Sequence, residues 1–218
     1  MSNILIERAA VSGWEAAIRG MRNPLNSWDR SDTAWNTVSL VPKIGKNDLS
    51  LMQKLCANGS EHRKFLRYIV VTFDLTAPML FWAQMDTYKV GTVRNSTSKM
   101  HKLLHKPFEE SDFAIENLAG EARGVMNVII DQINNWRGRY LQTPVENATA
   151  RNELWDAILR LLPESYRQKA TMQMNYEVLR CIRRQRTGHK LPEWRDFIRF
   201  IDTLPYAAEL LKEVKNDE

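Results

Sequence analysis

Cysteine is scarce in this chain: Cys56 and Cys181 are the two among 218 residues, and both sit in apolar, helix-like contexts. Neither belongs to a metal or redox motif, so a disulfide framework is not expected and a reducing cytoplasm is the expected setting. Long apolar runs are also missing. None approaches the roughly 18 residues that a membrane span requires. The opening MSNILIERAAVSGWE lacks a charged-then-apolar signal pattern, because Glu7 and Arg8 interrupt it early, and no targeting segment is expected. Metal-binding patterns are absent in the same way. His101 and His105 stand four apart, but HKLLH lacks the internal glutamate of the zinc proteases and Pro107 breaks the helix, so no metal is expected. There is no internal repeat and no low-complexity tract.

What is present is the composition of an ordinary globular core, with 44% hydrophobic and 26% charged residues. The length suits one domain spanning 1–218. Lys and Arg number 31 against 26 Asp and Glu, a mildly basic balance that suits an anionic small molecule, a nucleotide or a nucleic acid. Arg180, Arg183, Arg184, Arg186, His189 and Lys190 form a basic helix end. The helix dipole already favours cations there, and no DNA- or RNA-binding signature accompanies them, so nucleic acid is not the expected partner. Seven tryptophans are many for this length. Each singly suits the core, and some suit a subunit contact or a flat ligand.

Apolar periodicity outlines the elements. Arg22 to Lys46 reads as loop with short structure, from its Asn-Pro, Asn-Ser, Pro and Gly content. Asp48 to Ala57 has helical spacing and stops at Asn58-Gly59. Phe65 to Leu75 alternates, with Ile69, Val71, Phe73 and Leu75 on one face, and is the best strand. Pro78 opens a helix from Met79 to Tyr88 on which Leu80, Gln84 and Tyr88 share a face. Ser111 to Leu141 reads as one long helix, Asn152 to Leu162 as another. Ser165 to Gln185 reads as a helix stopped by Gly188, and Pro192 to Leu204 as the last. The expected class is α+β, a small antiparallel or mixed sheet surrounded by long helices.

Two features carry chemistry. The segment Thr87 to Leu103 packs hydroxyls, small residues and lysines behind a strand-like run, so backbone N–H groups, O–H donors and ammonium groups can surround a phosphate there. On the helix after Ser165, Asn175, Leu179, Ile182 and Arg186 fall on one face. An arginine closing an inward face needs an anion. A carboxylate of the same protein or a neighbouring subunit meets that need, and so does a phosphate or pyrimidine ligand.

These residues also resemble the flavin-dependent thymidylate synthases (the ThyX family), which methylate deoxyuridylate using a reduced flavin and methylenetetrahydrofolate. The family's strand, of the form PFEHIxFTFxVxxP, resembles Phe65 to Pro78. Its QW and RHR elements fall on Gln84-Met85-Asp86 and Thr87-Tyr88-Lys89. Its loop IASYNELSGRYSKL runs along Val90 to Leu103 without a gap, with Gly91, Thr92, Thr97, Lys99 and Lys102-Leu103 retained in kind. The C-terminal pattern LP…N…L…R…QW recurs as Leu162-Pro163, Asn175, Leu179, Arg186 and Glu193-Trp194. The RHR triad keeps one charge, at Lys89; the strand histidine becomes Tyr68, and Glu177 and Cys181 replace a family arginine and asparagine.

The resemblance implies a single domain of thymidylate synthase-complementing-protein type that transfers a one-carbon unit to C5 of dUMP or a related pyrimidine nucleotide. FAD is the implied cofactor, with reduced folate and NADPH as co-substrates, and the implied assembly is a homotetramer whose sites are built between subunits. On that basis Gln84, Asn95, Ser96, Thr97, Ser98, Lys99 and Arg186 bind substrate, with Thr97 catalytic at the place of the family's serine. Tyr68, Thr87, Tyr88, Lys89 and Asn175 face the cofactor. The lost RHR charges leave a second expectation open, a nucleotide-binding module on the same fold without flavin.

Overall fold

The computed structural model describes residues 3–36 and 40–212. Positions 37–39 of the expected Arg22–Lys46 loop and the first two residues of the expected leaderless start lie outside them. Four strands form one sheet: β1 (Leu5–Ser12), β2 (Val70–Pro78), β3 (Thr92–Ser96) and β4 (Arg167–Asn175). The order is β1-β2-β4-β3. Its neighbours run antiparallel. The start of β2 meets the end of β4 through Tyr176 N–H donating to Ile69 O, and the start of β4 meets the end of β3 through Thr97 N–H donating to Lys169 O. The helices are α1 (Trp14–Arg22), α2 (Lys46–Ala57), α3 (Met79–Met85), α4 (Lys99–Lys102), α5 (Glu121–Gln142), α6 (Ala148–Leu161), α7 (Tyr176–Arg186), α8 (Pro192–Thr203) and α9 (Ala207–Leu210). This is the α+β class expected. Among the described residues no helix is long and apolar enough to cross a membrane.

The chain builds two compact units that are interleaved in sequence. One takes Thr76–Met85 and Ser96–Ala170; the other takes Asp86–Asn95 and the described parts of Ser2–Leu75 and Thr171–Glu218. The first has its own core, in which Phe108, Phe113, Met126, Ile130, Ile133 and Ile158 pack together. In the second, Val71, Phe73 and Leu75 alternate into the core from β2 while α8 presents Trp194, Phe197 and Ile201 at i, i+3 and i+7. The Phe73 and Phe197 rings lie 5.9 Å apart. Each such side chain contributes about 1.5–3 kcal/mol by leaving water.

The loop after α1 is fixed by polar groups rather than by apolar ones. Gly45 offers no side chain to cap α2, and Asp32 from the loop does so instead, accepting from Asn47 N–H at 2.9 Å and Asp48 N–H at 3.1 Å. Gly13 between β1 and α1 has φ 87°, and a Cβ there would stand 1.9 Å from Tyr68 O. Only glycine fits that approach.

Four sequence expectations are corrected. The helix expected from Met79 to Tyr88 ends at Met85, so Tyr88 does not share a helical face with Leu80 and Gln84. The helix expected over Ser111–Leu141 begins only at Glu121, after Gly120 at φ 56°. Phe113 and Ile115 still enter the core, but from irregular chain. The helix expected over Ser165–Gln185 is a strand followed by a helix. In β4, Gln168, Ala170, Met172 and Met174 are buried in strict alternation, the period of a strand. The Val90–Leu103 segment read as a loop likewise contains β3.

Candidate functional site

The hydroxyl-rich run in the unit containing Ser96–Ala170 is tethered to the sheet. Thr97, exposed, donates its N–H to Lys169 O at 2.9 Å and its Oγ1–H to the same carbonyl at 3.3 Å, while its own carbonyl accepts from Gln168 Nε2 at 2.5 Å. The Thr97 hydroxyl therefore keeps its lone pairs but has committed its proton. Ser96 is exposed at the end of β3. Ser98 precedes α4 without a side-chain capping bond, and Lys99 is its half-buried first residue. Gln84 is half-buried on α3 in the same unit.

The other unit carries the remaining candidates. Asn95 on β3, Thr87 and Lys89 are exposed. Asn175 caps α7, its Oδ1 accepting from Val178 N–H at 3.0 Å. Gly91, at φ 77°, lies against that cap: a Cβ there would stand 2.8 Å from Asn175 Nδ2 and 3.0 Å from Val178 Cγ2. Glu177, in the first turn of α7, is taken by Arg63, whose Nε reaches its two oxygens at 2.8 and 3.1 Å. The negative charge that Glu177 brings is thus balanced locally. Arg63 begins a basic turn, continuing as Lys64 and Arg67, both exposed, that packs on α7 and on α1. Tyr68 follows it, 55% exposed, with its ring edge 3.5 Å from where a Cβ on Gly20 would be.

At the far end of α7 sits an aromatic and cationic cluster. Arg186 Nε donates to the Tyr88 hydroxyl at 2.9 Å, and that hydroxyl donates to Gln185 Oε1 at 2.9 Å. The guanidinium carbon lies 4.6 Å from the Trp194 ring centre and 5.6 Å from that of Tyr88. His189 meets the edge of Trp194 at 6.2 Å. Burial and the neighbouring Arg186 charge hold the His189 imidazole below its ordinary range.

The sequence reading singled out Arg186 and Tyr88 but not their contact, which joins residues 98 apart in the chain. It also passed over Arg63, Lys64 and Arg67. Their signal was visible: three cations at i, i+1 and i+4, just before the alternation that starts at Ile69. Among the described residues no group of three or more His, Cys, Asp or Glu is placed to hold a metal ion.

No protein-family model matches the sequence, and no curated protein matches it. Solved structures do. A crystal structure of thymidylate synthase X (ThyX) from Helicobacter pylori with FAD and dUMP is 17% identical, covering 95% of each chain, with a TM-score of 0.64. A flavin-dependent thymidylate synthase ThyX from the same organism, complexed with FAD and dUMP, is also 17% identical, covering 97% of each chain, with a TM-score of 0.65. This chain therefore has the fold of the flavin-dependent thymidylate synthases, over nearly its whole length.

Proposed function

We propose that this chain is a divergent flavin-dependent thymidylate synthase-like enzyme that transfers a one-carbon unit to C5 of dUMP or a related pyrimidine nucleotide. The observation that carries the reading is the end-to-end fold match to proteins solved with FAD and dUMP. The two interleaved units work as one ThyX-like domain, since neither is a contiguous stretch of chain.

In this reading Gln84, Asn95, Ser96, Thr97, Ser98, Lys99 and Arg186 bind the nucleotide. Thr97, fixed on Lys169 O, offers hydroxyl lone pairs to the reacting substrate, and Arg186 and Lys99 supply positive charge to its anionic or carbonyl groups. Tyr68, Thr87, Tyr88, Lys89 and Asn175 face the cofactor. On this reading a flavin dinucleotide would meet a partly different set of cations from that implied by the resemblance. Lys64 and Arg67 stand exposed on a turn against α7, Lys89 is exposed two residues before Gly91, and Arg63 neutralises Glu177. A bound FAD would supply hydride chemistry for a one-carbon unit drawn from a reduced folate, with NADPH as the reductant. The chain's own residues hold the substrate ring and keep charge around it. Free Cys56 and Cys181 suit the cytoplasm, and exposed Val125 and Val128 on α5 suit assembly as a homotetramer.

The test of the substrate assignment is calorimetric titration of dUMP. Arg186→Ala weakens binding by about 1.5–3 kcal/mol, the range for a hydrogen bond to a charged group. An unaltered affinity overturns the assignment.

A further inference from the structure

We propose that Tyr88 is a positioning residue for Arg186, fixing the guanidinium so that it meets the nucleotide along one edge; this rests on the reading of Arg186 as a nucleotide-binding group. Arginine at a helix end is a long, flexible side chain that loses much rotamer freedom when it binds. Here that ordering is built in beforehand. The Tyr88 hydroxyl takes the inner Nε–H at 2.9 Å, and its own proton is committed to Gln185 Oε1 at 2.9 Å, so the phenol is held on both sides. The Trp194 indole covers a face of the guanidinium at 4.6 Å. The ring of Tyr88 stands edge-on to Trp194 at 6.1 Å, closing the corner. With Nε engaged and a face covered, the guanidinium plane is held in one orientation, and an in-plane pair of oxygens is the partner such a plane prefers. Where the resemblance puts a charged triad, this chain puts a phenol that adds no charge and orients one already present.

The experiment is a double-mutant cycle read by calorimetric titration of dUMP into wild type, Tyr88→Phe, Arg186→Ala and the double variant, with arginine side-chain nitrogen NMR on the first two. Tyr88→Phe keeps the ring and removes the hydroxyl. It is expected to weaken dUMP binding about 3- to 10-fold, and by less than about twofold when Arg186 is already alanine. The Arg186 Nε–H signal, slow to exchange with solvent in wild type, exchanges fast in Tyr88→Phe. Gln185→Ala, at an exposed position, gives a smaller loss that also disappears in the Arg186→Ala background. Wild-type affinity in Tyr88→Phe, or an equal loss in both backgrounds, overturns the positioning role while leaving Arg186 as a nucleotide ligand. Wild-type affinity in Arg186→Ala overturns the substrate-site reading itself, and the positioning role with it.

Discussion

Replacing Asp48 by asparagine should cost more stability than any change at the candidate site. The Asp48 carboxylate is fully buried and accepts five hydrogen bonds. Arg22 Nε reaches Oδ1 at 2.7 Å; on Oδ2 converge Ser31 Oγ at 2.7 Å, Thr33 Oγ1 at 2.6 Å, Thr33 N at 3.1 Å and Asp32 N at 3.2 Å. An asparagine must turn its NH2 either toward Arg22 or toward the backbone N–H groups, so donors face donors in both orientations. It also leaves Arg22, whose side chain is 4% exposed, without its counter-charge. Breaking a buried pair by removing one partner costs about 3–5 kcal/mol. Arg22→Met should cost less, because Asp48 keeps four donors. The assay is urea unfolding with the slope m unchanged. A loss below about 1 kcal/mol for Asp48→Asn, or a larger loss for Arg22→Met, would refute the account of this loop. The pH dependence has a definite sign. Burial pushes the Asp48 carboxyl up, but hydrogen bonds from Thr33, Ser31 and Arg22, with the Arg22 charge, outweigh it and hold the group below its ordinary value. Its contribution is therefore present above about pH 4, the unfolded value, and is lost as the pH falls through the lower folded value. The gap between wild type and Asp48→Asn narrows there.

Two further outcomes are expected. Gly91→Ala forces a Cβ to within 2.8 Å of Asn175 Nδ2 at φ 77°, and should cost about 1–3 kcal/mol from left-handed strain and a disturbed α7 cap, measured by urea unfolding; unchanged stability would contradict the close approach. Cys56, whose thiol is pushed up to about 11 chiefly by burial, should resist a disulfide reagent at pH 8 in the folded protein and react once the chain is unfolded. Equal labelling of Cys56 and half-buried Cys181 before unfolding would contradict its burial.

Legibility in the sequence followed the strength of each local signal. β2 was readable because β-branched and aromatic residues alternate there. β4 was not, because Arg, Gln, Lys, Ala and Met are helix formers, and only tertiary burial of Gln168, Ala170, Met172 and Met174 reveals its period of two. Phe113 and Ile115, read as part of one long helix, are core residues, but irregular chain delivers them. At the candidate site, residue types were legible and partners were not. That Arg186 would bond to Tyr88, or that Arg63 would neutralise Glu177, depends on contacts between residues 98 and 114 apart in the chain. No spacing rule encodes such contacts.

The central claim is a flavin-dependent reaction on the ThyX fold, and the visible spectrum of the purified protein tests it most directly. The protein is measured as isolated and again after incubation with FAD and desalting. The account predicts retained flavin absorbance, diminished when Lys64, Arg67 and Lys89 are replaced together by alanine. A protein that stays colourless after incubation with FAD contradicts it.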